Sequence, residues 1–208
     1  MLGRMDDREL AFRALYGPWK PLTPREAGDV FAGCAFRWWI GGGWALELGD
    51  TPRRRHEDID IVVLLADVDA MRACLTAYHL WEAHDGTLKP LPRGSALTPW
   101  REQLWVRRNA SEPWVAELLL TPSDNERWTF KKDRRISLPL DDLAEVRDGL
   151  PYLKPEVALL HKARRIRPKD EADFEAVLPA LGPPARAWLD DALAVYLPEH
   201  RWRERLAK

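Results

Sequence analysis

Two aspartates and a run of glycines are the residues whose types and spacing suggest chemistry. Fourteen residues separate Gly43, the last of three consecutive glycines, from Asp58. Asp58 and Asp60 flank a single apolar residue, and alternate residues of a strand point to the same face, so both carboxylates should emerge together. Paired carboxylates supply the hard oxygen ligands that suit Mg²⁺. We therefore expect Asp58 and Asp60 to bind metal.

The glycine run predicts a phosphate-binding turn. Glycine lets the backbone approach a ligand closely, and a helix that starts there presents N–H groups to an anion. The alternative is a simple tight turn with no ligand. Neither a Walker loop nor a GxGxxG motif is present. Gly42 and Gly43, close in sequence to a carboxylate pair, indicate chemistry on a nucleoside triphosphate.

A basic segment lies between the glycines and the aspartates. Arg53, Arg54, Arg55 and His56 could form a solvated turn, or they could contact the triphosphate or shield the carboxylates. Residue types alone do not decide between these readings. We take Arg55 as the candidate nucleotide contact of this segment.

A third carboxylate would complete a two-metal phosphoryl-transfer site. Glu117 is the best candidate, because it is a lone acid within an apolar strand and a buried acid is costly unless it is paired or binds metal. The alternative places Glu117 on a solvent-facing edge with no function. Glu82 and Asp85 are weaker rivals, since they lie nearer a predicted turn.

The elements that position these residues follow from hydrophobic periodicity and from Gly and Pro punctuation. We predict a strand over 34–40, a short helix over 44–48, a buried strand over 58–65, and a hairpin formed by 101–107 and 113–120. Residues 86–99 should be an exposed loop, and 79–84 a short strand. Helices are predicted at 8–16, 24–32, 67–78, 141–147, 155–166, 169–180 and 184–196. This pattern indicates an α/β domain over 1–139 and a helical domain over 140–208.

Composition narrows the class of protein. The chain has 208 residues, a net charge of −1 and a pI near 6.5, which argues against a general nucleic-acid or membrane binder. No apolar run reaches the length of a spanning helix, and the first ten residues lack the apolar core of a secretory signal. Cys34 and Cys74 form no disulfide framework or metal motif, so we expect a reducing cytoplasm.

The segment Gly-Gly-Trp-Ala followed by Arg-Arg-His-Glu-Asp-Ile-Asp-Ile resembles the DNA polymerase β-type nucleotidyltransferase superfamily. It is most similar to the aminoglycoside nucleotidyltransferases and related bacterial nucleotidyltransferase-like proteins. The resemblance implies a mixed, twisted sheet flanked by helices, followed by a helical region. It matches Gly42 and Gly43 to the family's glycine pair, Asp58 and Asp60 to its metal ligands, and Glu117 to its third carboxylate. That third acid is usually Asp, so Glu117 is a departure.

A second resemblance covers 151–178, which is similar to the C-terminal helical part of the same families. There a basic residue reaches back to the nucleotide phosphates, which makes Lys162 and Lys169 candidate phosphate contacts. Lysine is a suitable point charge for this role. From the residues alone, Lys169 and Asp170 would be a surface pair in the first turn of a helix.

Together these observations predict an Mg²⁺-dependent enzyme that transfers NMP from an NTP, expected to be ATP, to a hydroxyl of a small molecule such as an aminoglycoside. One alternative keeps the chemistry with tRNA or protein as acceptor, as in toxin-type relatives, and would use basic residues between 127 and 135. Another is a nucleotide-binding module without catalysis.

Overall fold

The computed structural model describes residues 11, 14–49, 52–124 and 126–208. The described helices, in chain order, are α1 (Pro24–Phe31), α2 (Val68–Cys74), α3 (Pro155–Lys162), α4 (Pro168–Val177), α5 (Pro183–Tyr196) and α6 (Arg203–Leu206). The described strands are β1 (Trp38–Ile40), β2 (Asp60–Leu64), β3 (His79–His84), β4 (Thr87–Leu91), β5 (Gln103–Arg107), β6 (Ala116–Thr121), β7 (Ser123–Asp124), β8 (Arg127–Thr129), β9 (Ser137–Pro139), β10 (Ala144–Arg147) and β11 (Leu150–Leu153).

The chain packs as two compact units. The first contains the described residues up to Arg37 together with Glu57–Leu120, and the second contains Trp38–His56 together with Thr121–Lys208. This division follows packing rather than chain order. A division into domains 1–139 and 140–208 remains a prediction.

In the first unit, five neighbouring strands lie in the order β2-β6-β5-β3-β4. The predicted hairpin is confirmed as the antiparallel pair β5 and β6, with Trp105 opposite Glu117. β3 and β4 form a second hairpin, whose turn at Asp85 and Gly86 has positive φ at both residues, as a two-residue hairpin turn requires. The predicted loop over 86–99 is therefore partly wrong, because Thr87–Leu91 is a strand.

The first unit contains an aromatic core. Trp105 and Trp114 are buried, and Trp19 and Trp81 pack against them. The guanidinium carbon of Arg107 lies 4.6 Å from the Trp81 ring centroid and 4.2 Å from that of Trp114, a cation–π arrangement that keeps a buried charge in favourable contact.

Local sequence explains where the first unit's α1 begins. Thr23 Oγ1 accepts from the Glu26 N–H at 3.3 Å, and the Glu26 carboxylate accepts from the Thr23 N–H at 2.7 Å, which forms a capping box. Pro24 occupies the first helical turn, where its missing N–H costs nothing. The predicted helix over 24–32 is confirmed within one residue. Of the predicted helix over 8–16, residues 11 and 14–16 are helical and the rest lies outside the described residues.

Cys34 and Cys74 are joined by a disulfide, with their Cα atoms 5.7 Å apart. The prediction that the two cysteines form no disulfide is therefore wrong. Cys34 follows α1 and Cys74 ends α2, so the bond ties together two segments that are 40 residues apart in sequence. Sequence spacing could not show that the fold brings the two Cβ atoms within bonding reach.

In the second unit, three neighbouring strands lie in the order β10-β11-β1, and a separate small sheet has the order β7-β8-β9. β1 pairs with β11 in parallel and β10 pairs with β11 antiparallel, so the arrangement is mixed. The predicted helix over 141–147 is wrong, because Ala144–Arg147 is strand β10. Asp148 and Gly149 both have positive φ and form the tight turn into β11.

Helices α3, α4 and α5 begin at Pro155, Pro168 and Pro183, as the proline pattern predicts. α3 packs against the short turn that follows the glycines. The observed strands and helices confirm the predicted α+β class with a mixed sheet. In the described part of the chain, no helix is long and apolar enough to cross a membrane.

Candidate active site

The two aspartates lie at the start of β2 in the first unit. Ile59 between them is fully buried, while Asp58 and Asp60 are half-buried, so the apolar residue faces the core and the acids face away from it. The predicted strand over 58–65 is slightly shorter, since β2 runs from Asp60 to Leu64. The paired placement of the carboxylates agrees with the alternation expected of a strand.

Glu117 lies on β6 beside this segment. Its backbone N–H donates to the carbonyl of Ile59 at 2.9 Å, so β6 runs alongside the two aspartates. Its side chain belongs to the half-exposed face of β6, and its carboxylate accepts a hydrogen bond from Gln103 Nε2. Glu117 is therefore partly exposed, and its backbone is hydrogen-bonded to the residue between the two aspartates. Its role as third metal ligand stays a prediction.

Asp58 and Asp60 can provide two oxygen ligands for Mg²⁺, but not a complete ligand set. In the described ranges, no group of three or more His, Cys, Asp or Glu side chains could hold a metal ion. Mg²⁺ is commonly held by one or two carboxylates together with substrate phosphates and water. Asp58 and Asp60 fit that donor set.

The glycine turn belongs to the second unit. Gly42 has φ of +57°, a conformation that favours glycine, and Gly43 has ordinary helical angles. The reason for glycine at Gly43 is close approach: a Cβ there would overlap Arg54 Nη2 and would lie 2.8 Å from His56 Nδ1. The predicted helix over 44–48 is wrong in length, because only a three-residue 3₁₀ turn, Trp44–Leu46, follows the glycines.

Two arginines hold that short turn through its carbonyls. Arg53 Nη2 donates to the Leu46 carbonyl at 2.8 Å. Arg147, on β10, donates to the Ala45 carbonyl at 2.9 Å and to the Glu47 carbonyl. Carbonyls at the end of a short helical turn lack partners within it, so these guanidinium bonds satisfy them. The glycine turn is thus fixed from behind by residues distant in sequence.

His56 and Glu47 form a buried polar pair next to Gly43. His56 Nε2 lies 2.9 Å from Glu47 Oε1, and the His56 ring stacks on Trp44 with centroids 4.2 Å apart. Burial, followed by the charge of Arg54, lowers the pKa of His56, which favours the neutral imidazole. Burial would raise the pKa of Glu47, but the Arg53 backbone bond and the His56 bond outweigh it and lower that pKa.

Arg54 is joined to α4 by a bidentate ion pair. Its Nε and Nη2 atoms lie 3.3 and 3.2 Å from the two carboxylate oxygens of Asp173. Lys162 Nζ lies 2.9 Å from Asp170 Oδ1 and 3.3 Å from Asp173 Oδ2. Both carboxylates are buried, and burial alone would raise the pKa of Asp170. The bonds from Arg167 and Lys162 outweigh burial and hold that pKa well below its usual range.

The predicted phosphate contacts therefore differ in their exposure and in their ion pairs. Arg55 is exposed, whereas its neighbour Arg54 lies against Gly43. The Lys162 side chain is only 10% exposed and is engaged by two carboxylates, while Lys169 is half-buried in the first turn of α4. The roles assigned to Arg55, Lys162 and Lys169 remain predictions.

Several residues of this cluster were not singled out from the sequence. They are Glu47, Arg147 and Asp173. Asp173 carries a weak signal, since Asp170 and Asp173 are two acids one helical turn apart that follow Lys162. Arg147 carries none, because nothing in its strand marks a contact 100 residues away.

Part of the chain matches a known protein family. Residues 25–89 match the model of the aminoglycoside-2″-adenylyltransferase family. The match covers less than half of the 208 residues. The matched segment contains the glycine turn, Arg53 to His56 and both aspartates, and it ends before Glu117 and Lys162. The resemblance and the predicted enzyme class, an adenylyl-transferring nucleotidyltransferase, are confirmed.

The solved structures that match this chain include two of ANT(2″)-Ia. A crystal structure in complex with adenylyl-2″-tobramycin is 12% identical, has a TM-score of 0.49, and covers 91% of this chain and 98% of that chain. A solution structure is 16% identical, has a TM-score of 0.48, and covers 98% of this chain and 95% of that chain. The Megavirus polyadenylate synthase is 12% identical, has a TM-score of 0.42, and covers 83% of this chain and 31% of that chain. No curated protein matches the chain significantly.

Proposed function

We propose that the protein transfers AMP from ATP to a hydroxyl group of an aminoglycoside and releases pyrophosphate. The observation that carries this proposal is the family match over 25–89, which includes the glycine turn and both aspartates. Two features support the proposal: Asp58 and Asp60 lie at the beginning of β2, and Gly43 has no room for a Cβ, as expected of a close backbone approach.

In the proposed reaction, the acceptor hydroxyl oxygen forms a bond to the α-phosphorus of ATP. The bond from that phosphorus to the bridging oxygen of the β-phosphate breaks, and the electron pair leaves with pyrophosphate. The hydroxyl proton passes to a base, for which Glu117 is the candidate. Positioning and charge neutralisation account for most of the catalysis in such transfers.

Asp58 and Asp60 are the residues that would hold Mg²⁺, which would supply charge neutralisation on the phosphates when bound. Glu117 is the proposed third carboxylate. The main support is the half-buried placement of the two aspartates around a fully buried Ile59. Carboxylates held this way keep their oxygens accessible while their backbone is fixed by the core.

The proposed triphosphate contacts belong to the second unit. Gly42 and Gly43 would allow close backbone approach, and Arg54 places a guanidinium directly at Gly43. Arg55, Lys162 and Lys169 are further candidate triphosphate contacts, and all three are predicted from the sequence alone. Arginine is well suited to phosphate because its planar fork donates two parallel hydrogen bonds.

An aminoglycoside is a polycation, so its subsite should be acidic. Exposed acids of the second unit that could serve are Asp124, Glu126, Asp141 and Asp142. Nothing in the comparisons supports a tRNA or protein acceptor. The basic residues invoked for such an acceptor are partly committed within the unit, since Arg135 pairs with Asp133 and Arg127 bonds to Ser137.

Pyrophosphate release with each NTP, alone and with a panel of aminoglycosides, tests the proposal. We expect release with ATP and at least one aminoglycoside, together with transfer of one AMP to the product by mass spectrometry. Asp58→Asn should reduce turnover at least about a hundredfold, because even residues behind a metal ligand cost ten- to hundredfold. Asp69→Asn, an exposed acid of α2 in the same unit, is the matched control and should retain full activity.

Absence of pyrophosphate release with every acceptor would overturn the proposal. Stabilisation by ATP without any release would instead indicate nucleotide binding without catalysis.

A further inference from the structure

Asp173 is a buried carboxylate, and it has more cationic partners than are needed to balance its single negative charge. Its side chain is 2% exposed, and it contacts Arg54 at 3.2 Å, Lys162 at 3.3 Å and Arg53 at 3.8 Å. One well-placed partner is enough to make a buried carboxylate tolerable. Three partners, two of them from the segment that follows the glycine turn, indicate that Asp173 organises those side chains.

The contacts of Arg54 leave part of its guanidinium for a ligand. Arginine has five N–H donors, and the described contacts use three of them: two for Asp173 and one for the carbonyl of Arg55 at 3.5 Å. The Arg54 side chain is 27% exposed, compared with 10% for Lys162. Arg54 is therefore the more accessible cation of the pair, and Lys162 is the more deeply enclosed one.

The charge of the whole cluster favours an anionic ligand. The carboxylates of Glu47, Asp170 and Asp173 face four cationic side chains. These are Arg53, Arg54, Lys162 and Arg167. Arg54 and Lys162 are the enclosed cations among them, with side chains 27% and 10% exposed, so salt screens their charges poorly. A polyphosphate would be attracted to these two cations and would reach Arg54 more easily.

We propose that Asp173 is a positioning residue for nucleotide binding, which holds the Arg54 guanidinium against Gly43 so that Arg54 contacts the phosphates of ATP. Lys162 also pairs with Asp173 and so fixes its carboxylate from the other side. Fixing an arginine in advance lowers the side-chain entropy lost on binding. This inference rests on the proposed use of ATP, and it adds a positioning residue for Arg54 to that proposal.

Asp170 provides a matched control for Asp173. Both carboxylates lie on α4, both are almost fully buried, and both pair with Lys162, but only Asp173 contacts Arg54. The test compares Asp173→Asn with Asp170→Asn in the full chain. Affinity for a non-hydrolysable ATP analogue is measured by calorimetry, and KM for ATP and for the aminoglycoside is measured by pyrophosphate release. Thermal unfolding reports the structural cost of each variant.

We expect Asp173→Asn to weaken analogue binding and raise KM for ATP by about tenfold or more, since small misplacements of a contact are that costly. KM for the aminoglycoside should change less than twofold, and Asp170→Asn should raise KM for ATP clearly less than Asp173→Asn does, because Asp170 does not contact Arg54. In an Arg54→Ala background, Asp173→Asn should have little further effect on analogue affinity, because its effect passes through Arg54.

Equal losses of analogue affinity in the Asp170 and Asp173 variants would overturn the inference, as would an undiminished effect of Asp173→Asn without Arg54. A wild-type protein that binds no ATP analogue would overturn it too. The proposed function fails on a different result, namely a wild type that binds the analogue but releases no pyrophosphate with any acceptor.

Discussion

The acidic segment at β2 and the glycine turn before it are built in different ways. Asp58 and Asp60 owe their placement to the alternation of one strand around the buried Ile59. The glycine turn owes its placement to side chains far away in sequence: Arg147 holds its carbonyls, and Asp173 holds Arg54 at a separation of 119 residues. The position of the two aspartates therefore depends on one strand, whereas the shape of the glycine turn depends on each of these distant contacts.

The two units also differ in how their distant segments are tied. The first has a covalent tie between Cys34 and Cys74, and the ties at the glycine turn of the second are ion pairs and hydrogen bonds. A covalent tie responds to reductant and an ionic one to charge and pH. Each kind of tie can therefore be removed separately.

Reduction of the disulfide should have the largest effect on stability. Opening a loop of this length costs about 2–4 kcal/mol of unfolding free energy, because the unfolded chain regains entropy. Chemical denaturation with and without dithiothreitol measures the loss, and the Cys34→Ala, Cys74→Ala double variant should not respond to the reductant. Equal stability of the oxidised and reduced wild type would remove the contrast between the two units.

Replacement of Arg147 by Met should come next. The change leaves the carbonyls of Ala45 and Glu47 without their charged donor and removes a guanidinium stacked 3.9 Å above Tyr152. Hydrogen bonds to charged groups contribute about 1.5–3 kcal/mol, so the variant should lose that much stability and bind ATP more weakly. Arg127→Met, at an exposed arginine of β8, should change neither quantity. An unchanged affinity for ATP would show that the turn keeps its shape without Arg147.

Gly43→Ala tests the close packing of the turn itself. A Cβ at this position meets Arg54 and His56, and overpacking of this kind costs about 1–3 kcal/mol. Affinity for an ATP analogue should fall together with the melting temperature. Gly49→Ala is the control, since its Cβ would meet no atom within 4 Å. If the two alanine variants behave alike, close approach is not the reason for glycine at Gly43.

The smallest effect at neutral pH concerns His161 of α3. Burial, with the charges of Lys132 and Lys131, lowers its pKa from 6.5 to about 3. The unfolded chain takes up this proton as the pH falls through 6.5, but the folded chain does not, so stability falls towards pH 3. His161→Phe, which keeps a ring among Trp128 and Phe130, should flatten that slope and change stability little at pH 7.

Urea denaturation between pH 7 and pH 4 measures the slope. His79→Phe, which removes an exposed histidine of β3, distinguishes the loss of the buried imidazole from the loss of any imidazole. A slope in His161→Phe as steep as in the wild type would assign the acid sensitivity to other histidines, such as His56 and His200, whose pKa values burial also lowers.

The sequence was sufficient wherever structure depends on near neighbours. The cap at Thr23, the hairpin of β5 and β6, and the proline starts of α3 to α5 are local signals, and each is present in the structure. It fails at 141–147, where the helical spacing of the apolar residues conflicts with Asp148-Gly149, a dipeptide typical of a hairpin turn. That dipeptide was sufficient to predict β10 and β11.

The residues of the candidate site differ in the same way, because some are marked by local sequence and others only by the folded chain. Asp58 and Asp60 could be found because both the strand pattern and the family pattern mark them. The choice of Arg54 rather than Arg55 at Gly43, and the contribution of Asp173, depend on which way side chains turn in the folded chain. Spacing in sequence carries no information on that, and the disulfide between Cys34 and Cys74 escaped prediction for the same reason.

Strand β4 has a consequence for behaviour at high concentration. Among the described strands it pairs with β3 alone, so one side of its backbone has no neighbouring strand. An open strand edge invites a second molecule to add its own strand, and this is how many β-proteins begin to aggregate. Lys89 and Pro90 lie in the middle of β4, where a charge and a missing N–H make such an addition unfavourable. The open edge of β4 is thus protected against pairing with a strand of a second molecule.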